Sequence, residues 1–100
     1  MKFNIPKHFH IGGQDMEVKI VDRVPDDSQW LGSCCVCEGV IYIANNPKGL
    51  TQSDSSKINT FFHELTHTVL STMHHELNDD EQFVSIFASF LTEAIKSMED

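Results

Sequence analysis

Between Ser53 and Met73 the apolar residues return with the period of an α-helix, and no other stretch constrains the fold as much. At 100° per residue, with His63 set at 0°, Ile58, Phe61, Phe62, Leu65, Val69 and Met73 fall in one sector of roughly 160–280°. Ser53 and Asp54 both suit an N-cap, so the spacing predicts an amphipathic helix over about 53–73. His74 to Asn78 then reads as a short connection. A second helix over about 79–98 follows, with Phe83, Ile86, Phe87, Phe90, Leu91 and Ala94 on its apolar stripe.

The first fifty residues carry strand signals instead. Phe9 to Ile11 and Met16 to Val21 flank the turn-forming Gly12-Gly13-Gln14-Asp15, which predicts a β-hairpin. Trp30-Leu31 and Cys34 to Cys37 are candidates for a third strand. Gly39 to Ala44, β-branched and apolar, is a well-buried fourth. Asn45-Asn46-Pro47-Lys48-Gly49 ends the sheet region. The expectation is an α+β fold in a single domain over 1–100: a small, mainly antiparallel sheet of three to four strands within 1–50, then two helices.

A chain of 100 residues builds one thin core and no deep multi-lobed active site. Residues 1–50 carry 5 basic and 6 acidic side chains, residues 51–100 carry 2 and 9, and the whole has a formal charge of −8. This argues against a nucleic-acid-binding face. No apolar run approaches the roughly 18 residues of a membrane span, and the start, Met1 to Pro6, lacks a signal peptide's apolar stretch. A cytoplasmic protein with no membrane partner is expected, as a monomer or weak oligomer. Cys34, Cys35 and Cys37, odd in number and crowded, make no disulfide framework and read as reduced thiols filling a small core. A second metal site built from them with His8 or His10 is disfavoured, because adjacent strand residues point to opposite faces.

Within the first helix stands His63-Glu64-Leu65-Thr66-His67. Histidines four apart lie about 40° apart around a helix and one turn along it, so their rings can converge on one zinc ion about 2.0–2.1 Å from each nitrogen. Both lie nearly opposite the apolar sector, toward a cleft or solvent. Glu64, about 100° round, flanks that point and can take a proton from a zinc-activated water. A shuffled chain of this composition would produce the pattern about 0.03 times.

A third ligand should come from nearby chain. Glu81 is favoured, because it begins the second helix at the edge of its apolar stripe; Asp80 and Glu93 are alternatives. Asn78 as N-cap with Glu81 at N3 would explain the same residue by capping alone. Glu81 also requires the helices to cross steeply or the connection to double back, since a plain hairpin would bring a later residue level with the histidines. His74 and His75 lie about 10–12 Å beyond His67 along a continuous helix, too far to share its ion. They suit a helix C-terminus, unless a bend returns one of them to polarise a substrate carbonyl. Tyr42 could do the same from its strand.

His63-Glu64-Leu65-Thr66-His67 followed by Glu76-Leu77-Asn78-Asp79-Asp80-Glu81-Gln82-Phe83-Val84 resembles the small phage-type metallopeptidase-like proteins, related to minigluzincins and more distantly to ImmA/IrrE-like peptidases. Glu81 to Leu91 is similar to the glutamate helix of the latter, and Gly39 to Ile43 to the family's edge strand above the cleft. The resemblance implies a zincin-like minimal domain with zinc as cofactor, His63, His67 and Glu81 as its ligands and Glu64 as general base. The implied function is hydrolysis of a protein or peptide substrate, in the cytoplasm of the host if the chain is phage-encoded. The alternative expectation is a catalytically idle zinc-binding interaction module. Retention of Glu64 argues against it, because a purely structural site has no use for that carboxylate.

Overall fold

The computed structural model describes residues 3–98; Met1 and Lys2, and Glu99 and Asp100, which count toward the acidity above, lie outside them. Strands β1 (His8–Ile11), β2 (Gln14–Val21), β3 (Gly32–Cys35) and β4 (Val40–Ala44) precede helices α1 (Asp54–Thr72) and α2 (Glu81–Ser97). The fold is α+β, with a four-stranded sheet in the order β1-β2-β4-β3. Two of the three pairings are antiparallel, whereas β2 and β4 run parallel with Val18 opposite Ile41. No helix among the described residues is long and apolar enough to cross a membrane.

The hairpin turns more tightly than the four residues read for it. Ile11 pairs with Gln14, which leaves a two-residue loop of Gly12 and Gly13. Both sit at positive φ, the requirement of a type I′ turn whose twist matches that of the strands. β4 is buried at four of its five positions. It lies inside the sheet between β2 and β3, and the expectation that Gly39 to Ile43 forms the edge strand is corrected: the edges are β1 and β3, and β3 is the one beside the cleft. Trp30 and Leu31 precede β3 as exposed residues, although Leu31 O still accepts from Ala44 N at 2.8 Å. After Cys35 the chain leaves the sheet in a 3₁₀ turn, Val36–Glu38, closed by Gly39 in the left-handed region.

Ser53 caps α1, its Oγ accepting from Ser56 N at 3.1 Å. α1 packs across β3 and β4, and α2 packs chiefly on α1. Met16, Val18, Ile41, Ile43, Phe61, Phe62 and Ala88 form the core between them. Phe61 and Phe62 meet edge to face, their ring centres 5.3 Å apart. Five residues expected on the apolar stripes are exposed instead. Met73 is exposed at the end of α1, and on α2 Ile86, Phe87, Phe90 and Ala94 face solvent. The buried residues of α2 are Val84, Ala88 and Thr92, because its contact with α1 is centred about 160° away from Phe90 around the helix.

α1 ends in a Schellman motif without glycine. His74 takes φ 53, His74 N donates to Ser71 O at 3.0 Å, and His75 N donates to Leu70 O at 2.9 Å. This reversal sends a 3₁₀ segment, Glu76–Asp79, back along α1 before α2 starts. The connection doubles back, which a third ligand at Glu81 requires.

Candidate metal centre

His63 and His67 project from one face of α1, half-buried, their ring centres 5.1 Å apart and their planes at 64°. Glu81, the first residue of α2, reaches both. Its Oε2 lies 3.2 Å from His63 Nε2 and its Oε1 lies 2.6 Å from His67 Nε2. One donor atom from each of the three residues lies within 4.8 Å of the others, a group that could hold a metal ion. Neither alternative carboxylate joins it. Asp80 is spent on capping α2, its Oδ1 accepting from Phe83 N at 3.0 Å. Glu93 faces a separate groove beside Lys96. The capping reading of Glu81 also fails, since Asp80 is the cap and Glu81 stands at N1.

Asn78, read from sequence only as a possible cap, holds one of the histidines. The returning segment sets its Oδ1 2.8 Å from His67 Nδ1, so that nitrogen donates its hydrogen there. The Nε2 of a neutral ring then carries a lone pair, pointed at a carboxylate oxygen 2.6 Å away. Two lone pairs at that distance need a proton or a metal ion between them. Two imidazole nitrogens and one carboxylate oxygen match the borderline donor set of zinc, whose tetrahedral bonds would place donors about 3.3 Å apart. No local sequence signal marks Asn78; its position is a product of the reversal at His74.

Glu64 faces a different neighbour. It is 7% exposed, covered by β3, which approaches α1 closely at Gly32. A Cβ at Gly32 would lie 2.6 Å from Thr60 Cγ2 and 2.8 Å from Tyr42 O, so only glycine permits this spacing. Burial is the main cause that pushes the Glu64 carboxyl up to about 7, against the pull of His67; the Glu81 charge adds to the rise, and a hydrogen bond from the Cys34 thiol opposes it. His63 is held below its ordinary value chiefly by burial, with Glu81 pulling the other way.

These residues line one cleft of about 700 Å³, walled by β3, Trp30 and Leu31 on one side and α1 with Glu81 on the other. Neither His74 nor His75 lines it. His74 is exposed at the helix end, and His75 Nδ1 accepts from Leu77 N at 3.1 Å. Tyr42 lies on β4 between Lys19 and Ser33, away from the cleft. The cysteines divide. Cys34 shares the inner sheet face with Ile41 and touches the core, whereas Cys35 is half-buried and Cys37 exposed, so only one thiol fills the core as expected. His8 and His10 lie on β1, at the opposite edge of the sheet from β3, and cannot join the cysteines on one ion.

Compared with protein-family models, with curated proteins and with solved structures, the chain matches none.

Proposed function

We propose that this chain is a zinc-dependent metallopeptidase-like protein in which His63, His67 and Glu81 hold the ion and Glu64 is the general base. The observation that carries the reading is the meeting of both His Nε2 atoms with the two carboxylate oxygens of Glu81 across two helices. Zinc bound there would polarise a scissile carbonyl and lower the pKa of a coordinated water to about 7. The chain's own residues would do the rest. Asn78 fixes the His67 tautomer and ring orientation. Glu64, with its carboxyl raised to about 7, is matched to accepting a proton at neutral pH and returning it to the leaving amine. The edge strand β3 borders the cleft and would pair with an extended peptide, while Trp30 and Leu31 offer apolar surface to its side chains. The resemblance to the small phage-type metallopeptidase-like proteins supports the same assignment.

Metal analysis after zinc reconstitution tests the site. One equivalent per chain is expected, lost in His63→Ala and Glu81→Gln and retained in Asp80→Asn and Glu93→Gln. Content that is unchanged in His63→Ala would overturn the assignment. A peptide-library digest tests the chemistry: Glu64→Gln should keep its zinc and lose about 10²- to 10⁴-fold in hydrolysis. Zinc binding without hydrolysis by the native protein would leave the idle interaction module as the reading.

A further inference from the structure

We propose that Cys35 and Cys37 form a redox-active dithiol, which a low-molecular-weight disulfide such as glutathione disulfide closes to an intramolecular bridge. This does not rest on the metal reading.

Their Sγ atoms lie 3.3 Å apart. In a continuing strand, residues i and i+2 would be separated by about 6.7 Å of rise. The 3₁₀ turn that begins at Val36 folds Cys37 back toward Cys35 instead. That turn is held on two sides: Val36 O accepts from Gln14 Nε2 at 2.6 Å and from Gly39 N at 3.0 Å, and Gly39 O accepts from Glu17 N at 2.8 Å. The thiols are therefore kept close by the fold, so much of the entropy of bringing them together is already spent before oxidation. The third thiol is set apart. Cys34 points to the other face of β3, and burial followed by the Glu64 charge pushes it up to about 12, leaving it almost entirely protonated and unreactive. Cys35 is also raised, first by its hydrogen bond with Cys37. Cys37, the exposed member, is thus the attacking thiol and Cys35 the resolving one.

The chemistry balances as two exchanges. Cys37 loses its proton to solvent and attacks one sulfur of glutathione disulfide. That S–S bond breaks, and one glutathione leaves as thiolate. Cys35, deprotonated in turn, attacks Cys37 Sγ in the mixed disulfide and expels the second glutathione thiolate. The protein gives up two electrons and two protons, and glutathione disulfide becomes two glutathione molecules. Val36, between the two cysteines, lines the cleft, so closure also stiffens the cleft rim.

The full chain is equilibrated in glutathione buffers from reduced to oxidised, quenched with acid, unfolded and alkylated, and each cysteine is mapped by mass spectrometry. In oxidised buffer the monomer should lose two of its three alkylation sites and carry the label on Cys34 alone, and excess reduced glutathione should restore all three. Cys35→Ser should retain glutathione on Cys37, which identifies the attacking thiol. Three free sites in oxidised buffer, an adduct on the native chain that never closes, a bridge involving Cys34 or disulfide-linked dimers would each overturn the proposal. Mapping of the unmutated chain decides these outcomes even if a variant fails to fold.

Discussion

On α1, Thr60, Glu64, Thr66 and Thr68 are buried, whereas on α2 Ile86, Phe87 and Phe90 stand about half exposed or more. The more polar helix is the better covered one. α1 has β3 and β4 against one side and α2 against another, while α2 leans chiefly on α1. Burial in this chain follows the number of neighbouring elements, and composition adapts to it. The buried hydroxyls are satisfied locally: Thr66 donates to Phe62 O at 2.7 Å and Thr68 to Glu64 O at 2.8 Å. Gln52 completes the polar side of α1. Its Nε2 donates to Ala44 O at 2.6 Å, and its Oε1 accepts from Ser56 Oγ and Thr60 Oγ1, each at 2.7 Å.

Phenylalanines on the two helices give the sharpest contrast. Phe61 is 3% exposed and sits among Phe3, Phe9 and Phe62, so Phe61→Ala should cost about 3–5 kcal/mol, read from the shift in denaturant midpoint. A loss under about 1 kcal/mol would mean that α1 is not the enclosed helix. Next in size is Gln52→Ala, which strands the buried Thr60 hydroxyl and the Ala44 carbonyl. About 2–3 kcal/mol should be lost by the same assay.

Glu64 makes the polar burial visible through pH. In the metal-free protein its folded carboxyl titrates at about 7 against an ordinary 4.5, so the folded state binds the proton more tightly. This group's contribution to stability is full below about pH 4.5 and is lost as pH rises through about 7. With chelator present, stability should fall by about 1–3 kcal/mol between pH 5 and 8 through this residue, and Glu64→Gln should remove that part of the slope. An identical slope in the variant would place the carboxylate in water. The smallest effect belongs to Phe90→Ser. At 68% exposure it should change monomer stability by no more than about 0.5 kcal/mol, and a larger loss would reveal that the α2 face is covered in solution.

Periodicity made most of the elements legible. The helix read over about 53–73 is Asp54–Thr72, and the strand read over Gly39 to Ala44 is Val40–Ala44. Each of these is decided by residues a few positions apart. The candidate metal group was legible for the same reason at His63 and His67, and Glu81 followed from its place at the helix seam. What sequence could not give depends on which elements become neighbours. The parallel pairing of β2 with β4, the exposed stripe of α2 and the contact of Asn78 with His67 all arise between distant segments. Gly32 belongs with these: no role for it is read from the sequence, and only the fold reveals that α1 approaches it closely.

The reversal at His74 has a thermodynamic consequence. Because the chain turns back there, the two halves of the candidate metal group lie on opposite ends of a short loop, His67 before it and Glu81 after it. Any ion seated between them would act as a clasp on that loop, tying the start of α2 to the middle of α1. Its binding free energy would then be shared with the docking of α2, and stability would rise with free metal concentration as RT ln(1 + [M]/Kd). Conversely, a force or partner that lifts α2 away would loosen the ion, so occupancy of the site and position of the second helix would report on one another.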